Sequence, residues 1–397
     1  MNLFKTYASY CGVSENLPAP EFPTAYFQTP QKYITLHSSS GMPSKNYDFY
    51  GDALEIIADE LRERQIAVVQ IGGSQDEYIN GCSDYRGVTT FRQCAHVVKH
   101  AMAHVGNDSV WAHVAGAFNI PLVELFGLTL AASVKPQWYN EDKSFFLEPD
   151  RGKQKPSYDP NEFPKTINNI TPERVADAIL ESLGLPKKAQ KTRQTVNIGL
   201  DYPVRTIEFI PDMQIDPGTS FPEGTILNAR MDYSFNEKAL QANLMFWPIL
   251  VVTDQRINLK KIKHPNLKVI IYKFDSETVD IGFVDELAKS GITYNLVTSE
   301  VGSKFKDLKN DLFDYNPIIS NPEDFKKRIK WAKKLKPNAK FKTHKFLLSN
   351  DGIFLSKWHW KNGASVQSFS QNTLPVPQVD SDDFWRDADY FYFFNGK

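Results

Sequence analysis

Cysteine is scarce in this chain of 397 residues: Cys11, Cys82 and Cys94 are all there is. An odd count at these spacings fits neither a disulfide framework nor a zinc site, and a reducing, cytoplasmic setting is the simplest expectation. Charge bias is lacking too. Lys and Arg number 46 against 47 Asp and Glu, a formal net charge of −1, and the sequence pI is about 6.7. That balance excludes a global attraction to nucleic acid or anionic membrane and leaves partner choice to local patches. Nowhere do about eighteen apolar residues run together, and the N-terminal stretch has no apolar core behind a basic start. Neither a membrane span nor a secretory leader is expected. Repeats of solenoid period and long low-complexity tracts are also missing.

The length suggests two domains and a small third module. Residues 12–32 carry Pro18, Pro20, Pro23 and Pro30, which disfavour helix and central strand, so residues 1–32 are expected to form a linker or strap. From Tyr33 the chain alternates. Tyr33–Leu36 and His104–Gly106 read as short strands, and Ile66–Ile71 and Pro121–Phe126 have the near-continuous apolar character of parallel strands buried on both faces. Tyr50–Arg64, Phe91–Ala103, Ser109–Phe118 and Thr171–Leu183 carry helical spacing, the last with Thr171 as N-cap and Pro172 at its first position. Strands alternating with helices predict a doubly wound sheet over residues 33–185. After a linker, residues 195–320 repeat the alternation, with strands at Thr206–Ile210, Thr225–Ala229, Ile249–Thr253, Leu267–Tyr272 and Ile292–Val297 and helices at Asn236–Phe246 and Phe283–Ser290. Residues 321–397 read as a basic helix (Pro322–Leu335), a hairpin within Lys345–Trp360 turning at Asn350-Asp351-Gly352, and an acidic, aromatic tail. The fold class expected is α/β, with two Rossmann-like doubly wound domains and a C-terminal helix and hairpin module.

The most informative segment runs from His104 to Thr129, where a strand meets a helix that starts at Asp108-Ser109. Free N–H groups and the helix dipole at such a start favour phosphate oxygens, and the Ser109 hydroxyl is a further donor. His113 lies one turn on, on the same face. The next strand ends in Phe126-Gly127-Leu128-Thr129, and ligands of open α/β sheets sit outside the carboxyl ends of strands.

Residues 108–129 resemble a block of glycosyltransferase family 9, the heptosyltransferases: an Asp-Ser helix start, a His one turn later, a Pro-led apolar strand and Phe-Gly-x-Thr. His37-Ser-Ser-Ser-Gly41 with Lys45, Gly72-Gly73-Ser-Gln-Asp-Glu77 and Gly87-Val-Thr-Thr-Phe91 resemble three further blocks in the same order, and the likeness spans about residues 5–185. The resemblance implies a GT-B-like fold and a donor site for a nucleoside diphosphate-sugar built from Lys45, Asp108, Ser109, Val110 and His113, with Gly73, Gly127 and Thr129 alongside. It implies a glycan or another hydroxyl acceptor and no metal or other cofactor.

Two departures qualify the likeness. Val110 stands where the family usually has glycine, and the family's first lobe, with its acceptor site and catalytic aspartate, has no counterpart ahead of residue 33. Residues 195–320 are expected to replace that lobe in permuted order, with Asp232 as catalytic base and Asp212 and Asp254 as competitors; a chain that only binds its ligand is the alternative. Such a base removes a proton from the acceptor hydroxyl, a contribution of about 10²- to 10⁴-fold. The basic, aromatic-flanked stretch from Phe325 to Lys345, followed by Trp358-His359-Trp360, keeps open a modified nucleic-acid acceptor. His96, His100 and His104 have helix-face spacing, but His104 falls on the following strand, so no metal site is expected.

Overall fold

The computed structural model describes residues 3–14, 18–162, 165–187, 193–197, 206–221, 225–320, 338–377, 381–388 and 390–394. The chain divides into two compact units, Met1–Val196 with Phe394–Lys397, and Asn197–Phe393.

In the first unit, strands β1 (Tyr33–His37), β2 (Ala67–Gly72), β3 (Ser83–Arg86), β4 (His104–Asn107), β5 (Leu122–Leu125) and β6 (Ser144–Leu147) form one sheet in the order β3-β2-β1-β4-β5-β6. Every pairing is parallel. The chain winds outward from β1 to β3 and then returns to the other side of β1, so the reversal lies between β1 and β4. That is where a doubly wound sheet opens a crevice at its carboxyl edge.

The helices of this unit are α1 (Leu3–Cys11), α2 (Tyr50–Glu63), α3 (Phe91–Lys99), α4 (Val110–Ala117), the short α5 (Ala131–Val134) and α6 (Pro172–Ser182). Tyr33, Val69, Ile71 and Leu122 on the sheet and Val97, Val98, Ala112 and Val114 on α3 and α4 share one buried cluster. Full burial of one such large apolar side chain stabilises by about 1.5–3 kcal/mol. Strand β7 (Arg193–Asn197) closes the segment.

Several local expectations need correction. The N-terminal stretch is not wholly a strap, because α1 forms within it. The proline-bearing part does lie across the unit: Phe22 meets Phe91 and Phe118 at ring-centroid distances of 6.3 and 6.0 Å, and the Ala25 N–H donates to the Arg92 carbonyl at 3.0 Å. Helix α3 ends at Lys99 rather than Ala103. Its continuation is prevented because residues 102 and 103 are spent on β1: the Met102 N–H donates to the Tyr33 carbonyl at 2.8 Å and the Thr35 N–H to the Ala103 carbonyl at 3.0 Å.

The second unit holds β8 (Thr206–Phe209), β9 (Leu227–Arg230), β10 (Ile249–Thr253), β11 (Leu267–Phe274), β12 (Tyr294–Thr298), β13 (Ile318–Ser320), β14 (Ala339–Lys342), β15 (Lys345–Ser349), β16 (Gly352–Phe354), β17 (Thr373–Pro375) and β18 (Tyr390–Phe394). Eight of them form a sheet in the order β13-β12-β11-β10-β9-β8-β15-β16, parallel apart from β16. The hairpin β15–β16 therefore belongs to this sheet and is not a separate module. Strands β17, β14 and β18 pair antiparallel beside it in sequence.

Its helices are α7 (Glu237–Leu244), α8 (Leu259–Ile262), α9 (Ile281–Ser290), α10 (Gly302–Asp311), α11 (Lys357–Lys361) and α12 (Asp382–Asp387). Phe209, Leu227, Ile249, Val251 and Ile270 of the sheet pack with Leu240, Phe283 and Leu287 of the helices. Trp358-His359-Trp360 lies on α11, not on the hairpin as expected. The expected basic helix Pro322–Leu335 falls outside the described residues.

Candidate functional site

Helix α4 begins two residues after Asp108, with Ser109 as its N-cap in an extended conformation (φ −152°). Ser109 does not cap through its own hydroxyl. The hydroxyl is turned instead to Nδ1 of His37, the last residue of β1, at 3.0 Å. This one contact joins the two strand ends that flank the sheet reversal.

Lys45 reaches the same point from the loop after β1, at the end of the short 3-10 turn Pro43–Lys45. Its Nζ donates to Asp108 Oδ2 at 2.6 Å, with side chains 19% and 9% exposed. A lysine held by one carboxylate and still open to solvent can exchange part of that contact for a ligand phosphate. The loop is fixed on both sides: the Ser40 N–H donates to Asn46 Oδ1 at 2.7 Å, and Asn107 Nδ2 donates to the Ser38 carbonyl at 2.6 Å. Asn107 in turn accepts from the Tyr50 hydroxyl at 2.7 Å.

The other expected residues fall into two groups. Val110 occupies the first position of α4 and is 49% exposed, so its side chain borders the helix start without blocking it. His113, exposed on α4, has its pKa lowered by desolvation; the Asp108 carboxylate opposes that shift and Lys45 adds to it. Lys45, Asp108, Ser109, Val110 and His113 thus form one neighbourhood.

Gly73, Gly127 and Thr129 do different work. The Gly73 N–H donates to Asp76 Oδ2 at 2.8 Å, closing the turn after β2. A side-chain carbon at Gly127 would stand 2.6 Å from Cβ of Ile167, which makes this glycine a packing requirement. The carbonyls of Gly127 and Thr129 both accept from Arg151 Nη2, the second at 3.0 Å.

Sequence reasoning missed His37, Arg151 and Glu124. His37 was legible only as the first letter of a Ser-rich loop; its burial and contact with Ser109 come from strand pairing. Burial pushes its pKa down to about 4, against the pull of Asp76. Arg151 lies in a polar stretch with no periodic signal. Glu124 sits inside an apolar strand, and that mismatch was the available signal. It is fully buried, and desolvation with the nearby Asp108 charge holds its pKa well above the carboxylate range, opposed by Lys45 and Lys135.

In the second unit Asp232 follows β9. Its two oxygens accept from Arg230 Nε and Nη2 at 2.8 and 2.9 Å, and Lys273 Nζ lies 3.3 Å away. The other face of Arg230 is taken by Glu208 at 2.8 and 2.9 Å. Burial alone would raise the Asp232 pKa, but Arg230 and Lys273 outweigh it and the net shift is downward. Asp212, after β8, accepts from the Asn350 N–H at 3.2 Å, and burial raises its pKa. Asp254 is exposed after β10.

The His96 and His100 rings lie 4.2 Å apart at the end of α3, with His100 as the residue that follows the helix, whereas His104 is buried on β4 with Nδ1 2.9 Å from Thr35 Oγ1. Among the described residues no group of three or more His, Cys, Asp and Glu side chains is placed to hold a metal ion. No helix among them is long and apolar enough to cross a membrane.

Residues 5–165 match the model of glycosyltransferase family 9 (heptosyltransferase). Lipopolysaccharide heptosyltransferase 3 of Escherichia coli is 28% identical over 128 residues, which are 29% of this chain and 37% of that protein. Among solved structures, E. coli ADP-heptose lps heptosyltransferase II aligns at 22% identity over 45% of this chain and 51% of that one, with a TM-score of 0.30. The glycosyl transferase family 9 structure from Veillonella parvula aligns at 17% identity over 45% and 50%, also at 0.30. The chain thus spans about two fifths of the curated relative and about half of these structures. Across residues 5–165 the chain is similar to glycosyltransferase family 9, the heptosyltransferases.

Proposed function

We propose that the first unit binds a nucleoside diphosphate-sugar at the crevice between β1 and β4, and that the protein transfers the sugar to a hydroxyl of a glycan acceptor. The observation that carries this reading is the convergence of Lys45, Asp108 and Ser109 on the start of α4 at the sheet reversal. Diphosphate oxygens replace part of the Lys45–Asp108 contact and accept from the N–H groups of Ser109 and Val110, which the helix leaves free. His113 lies within reach of the same ligand. These groups stabilise the negative charge that grows on the leaving nucleoside diphosphate as the sugar departs, and electrostatic stabilisation of this kind needs no metal ion. The relatives' names, with ADP-heptose and lipopolysaccharide in them, support a glycosyl donor and a glycan acceptor as the classes to test first.

Transfer also needs a base for the acceptor hydroxyl, and we place it among the strand-end carboxylates of the second unit. Asp232 is the poorer of the two choices, because Arg230 and Lys273 hold it ionised and engaged. Asp212 is better suited: it stands beside the reversal between β8 and β15, and burial moves its pKa towards the working range of a general base.

The test is calorimetry over a panel of nucleoside diphosphate-sugars, with nucleotide release followed in parallel. Wild type binds one donor class and releases nucleotide when acceptor is present. Lys45→Ala weakens donor binding, whereas Asp212→Asn leaves binding intact and removes turnover. Binding without turnover in wild type, for every acceptor tried, would reduce the protein to a nucleotide-sugar-binding module.

A further inference from the structure

Three neighbouring strands of the first sheet carry buried polar side chains on one face. The register places His104, Leu122 and Ser144 on one rung and Gly106, Glu124 and Phe146 on the next, and the alternation of strand side chains puts all six on the same side. Neither oxygen of Glu124 has a hydrogen-bond partner among the described residues, and the same holds for His104 Nε2 and Ser144 Oγ. Gly106 preserves space beside this row: a side-chain carbon there would stand 3.2 Å from His104 Nε2.

A buried carboxyl with no partner is costly, and a buried ionised one far more so. Both nearby cations are engaged elsewhere. Lys135 Nζ donates to the Tyr139 hydroxyl at 2.7 Å and lies over the Tyr139 and Phe146 rings at 4.5 and 4.9 Å, and Lys45 is held by Asp108. Buried polar atoms in such a cluster are ordinarily satisfied by a few ordered waters, each with two to four polar partners. The chain continues from β5 to Gly127 and from β4 to Asp108 and Ser109, so this polar layer lies on the strands that lead to the start of α4 and beside the crevice.

We propose that Glu124 is a positioning residue for the diphosphate site: it stands as a neutral acid, shares buried water with His104 and Ser144, and braces the β4–α4 turn without putting negative charge beneath the ligand. The titratable and charged groups that surround it are Asp108 at the turn, Lys45 from the loop after β1, Lys135 after α5, and Tyr50 of α2. His37 and His104 extend the layer along β1 and β4, and His113 stands on α4 above it. With Asp108 already present, a second carboxylate would oppose a diphosphate, so ionisation of Glu124 weakens anion binding. The proposal rests on the reading of the crevice as a diphosphate site.

Two measurements on the full chain test it. In infrared difference spectra of wild type minus Glu124→Gln at neutral pH, a protonated-carboxyl C=O band is expected, and Ser144→Ala shifts it; a carboxylate band, which an ion pair with Lys135 would give, overturns the proposal. In calorimetry with ADP and with pyrophosphate, Glu124→Gln binds within about twofold of wild type at neutral pH. At alkaline pH wild type loses about tenfold more affinity than the variant, the scale expected for one buried charge. Identical pH profiles for the two proteins overturn the positioning role. If wild type binds neither anion at any pH, the reading of the crevice fails, and the infrared band still decides whether Glu124 is a neutral acid.

Discussion

Asp108, Gly127 and Asp232 show how differently single residues can serve a site. Asp108 matters through Lys45, whose ammonium it holds at 2.6 Å at the crevice. Gly127 matters because nothing larger fits. A methyl group there would meet Ile167 Cβ at 2.6 Å and the Ile167 backbone nitrogen at 3.0 Å. Gly127→Ala is therefore expected to destabilise by about 1–3 kcal/mol, the usual cost of overpacking, seen as a lower urea midpoint; an unchanged midpoint would contradict the packing account. Asp232 is a clamp on Arg230, with side chains 6% and 9% exposed. Without the Asp232 carboxylate Arg230 keeps Glu208 as its partner, so the loss is that of one charged hydrogen-bonded contact, about 1.5–3 kcal/mol. Asp232→Asn is expected to lower the stability of the second unit by that order in denaturant titration. Lost turnover at unchanged stability would instead restore Asp232 as a catalytic base.

At the scale of elements, the helix starts organise the first unit. Thr90 and Gln93 form a reciprocal capping box on α3: the Gln93 N–H donates to Thr90 Oγ1 at 3.3 Å, and the Thr90 N–H donates to Gln93 Oε1 at 2.9 Å. Thr90→Ala is expected to cost about 0.5–2 kcal/mol, read as faster hydrogen exchange in α3; protection equal to wild type would show that tertiary packing alone holds the helix. The buried parallel strands were legible in the sequence because apolar runs such as Val68-Val69 and Leu122-Val123 have no other use. Strands β3 and β6 were not. They lie at the sheet edges with partly exposed residues, and Ser83-Asp84-Tyr85-Arg86 carries none of the apolar signal that edge strands can dispense with. Helix α10 was missed for a similar reason, since Leu308 is its only buried residue. At the site, Lys45 stood out only through the family resemblance, whereas the helix start could be read from local pattern. The His37–Ser109 contact could not, because it joins residues that only the sheet order brings together.

Across the first unit as a whole, buried titratable groups make stability depend on pH. His104 and His37 titrate at about 3 and about 4 in the folded chain, below the ordinary 6.5, because burial disfavours their charged forms. On acidification the unfolded chain takes up these protons first, so the stability tied to the neutral rings is full above about pH 6.5 and is lost as pH falls towards 4. Glu124 acts in the opposite sense. Its folded pKa is raised, so its contribution is full below the ordinary carboxyl range and declines as pH rises through the folded value. Hydrogen exchange on β4 and β5 should show protection falling between about pH 6.5 and 4, less steeply in His104→Gln; a variant as acid-sensitive as wild type would place the titration elsewhere.

The central claim is that the crevice between β1 and β4 binds the diphosphate of a sugar donor. Calorimetry of wild type, Lys45→Ala and Asp108→Asn against a panel of nucleoside diphosphates and their sugars tests it most directly. The account predicts saturable binding by wild type and a loss of about tenfold or more in Lys45→Ala, in line with the removal of one charge-assisted contact. Asp108→Asn should be weakened as well, because Lys45 loses the carboxylate that positions it. Wild type that binds no member of the panel, or variants that bind as tightly as wild type, would contradict it.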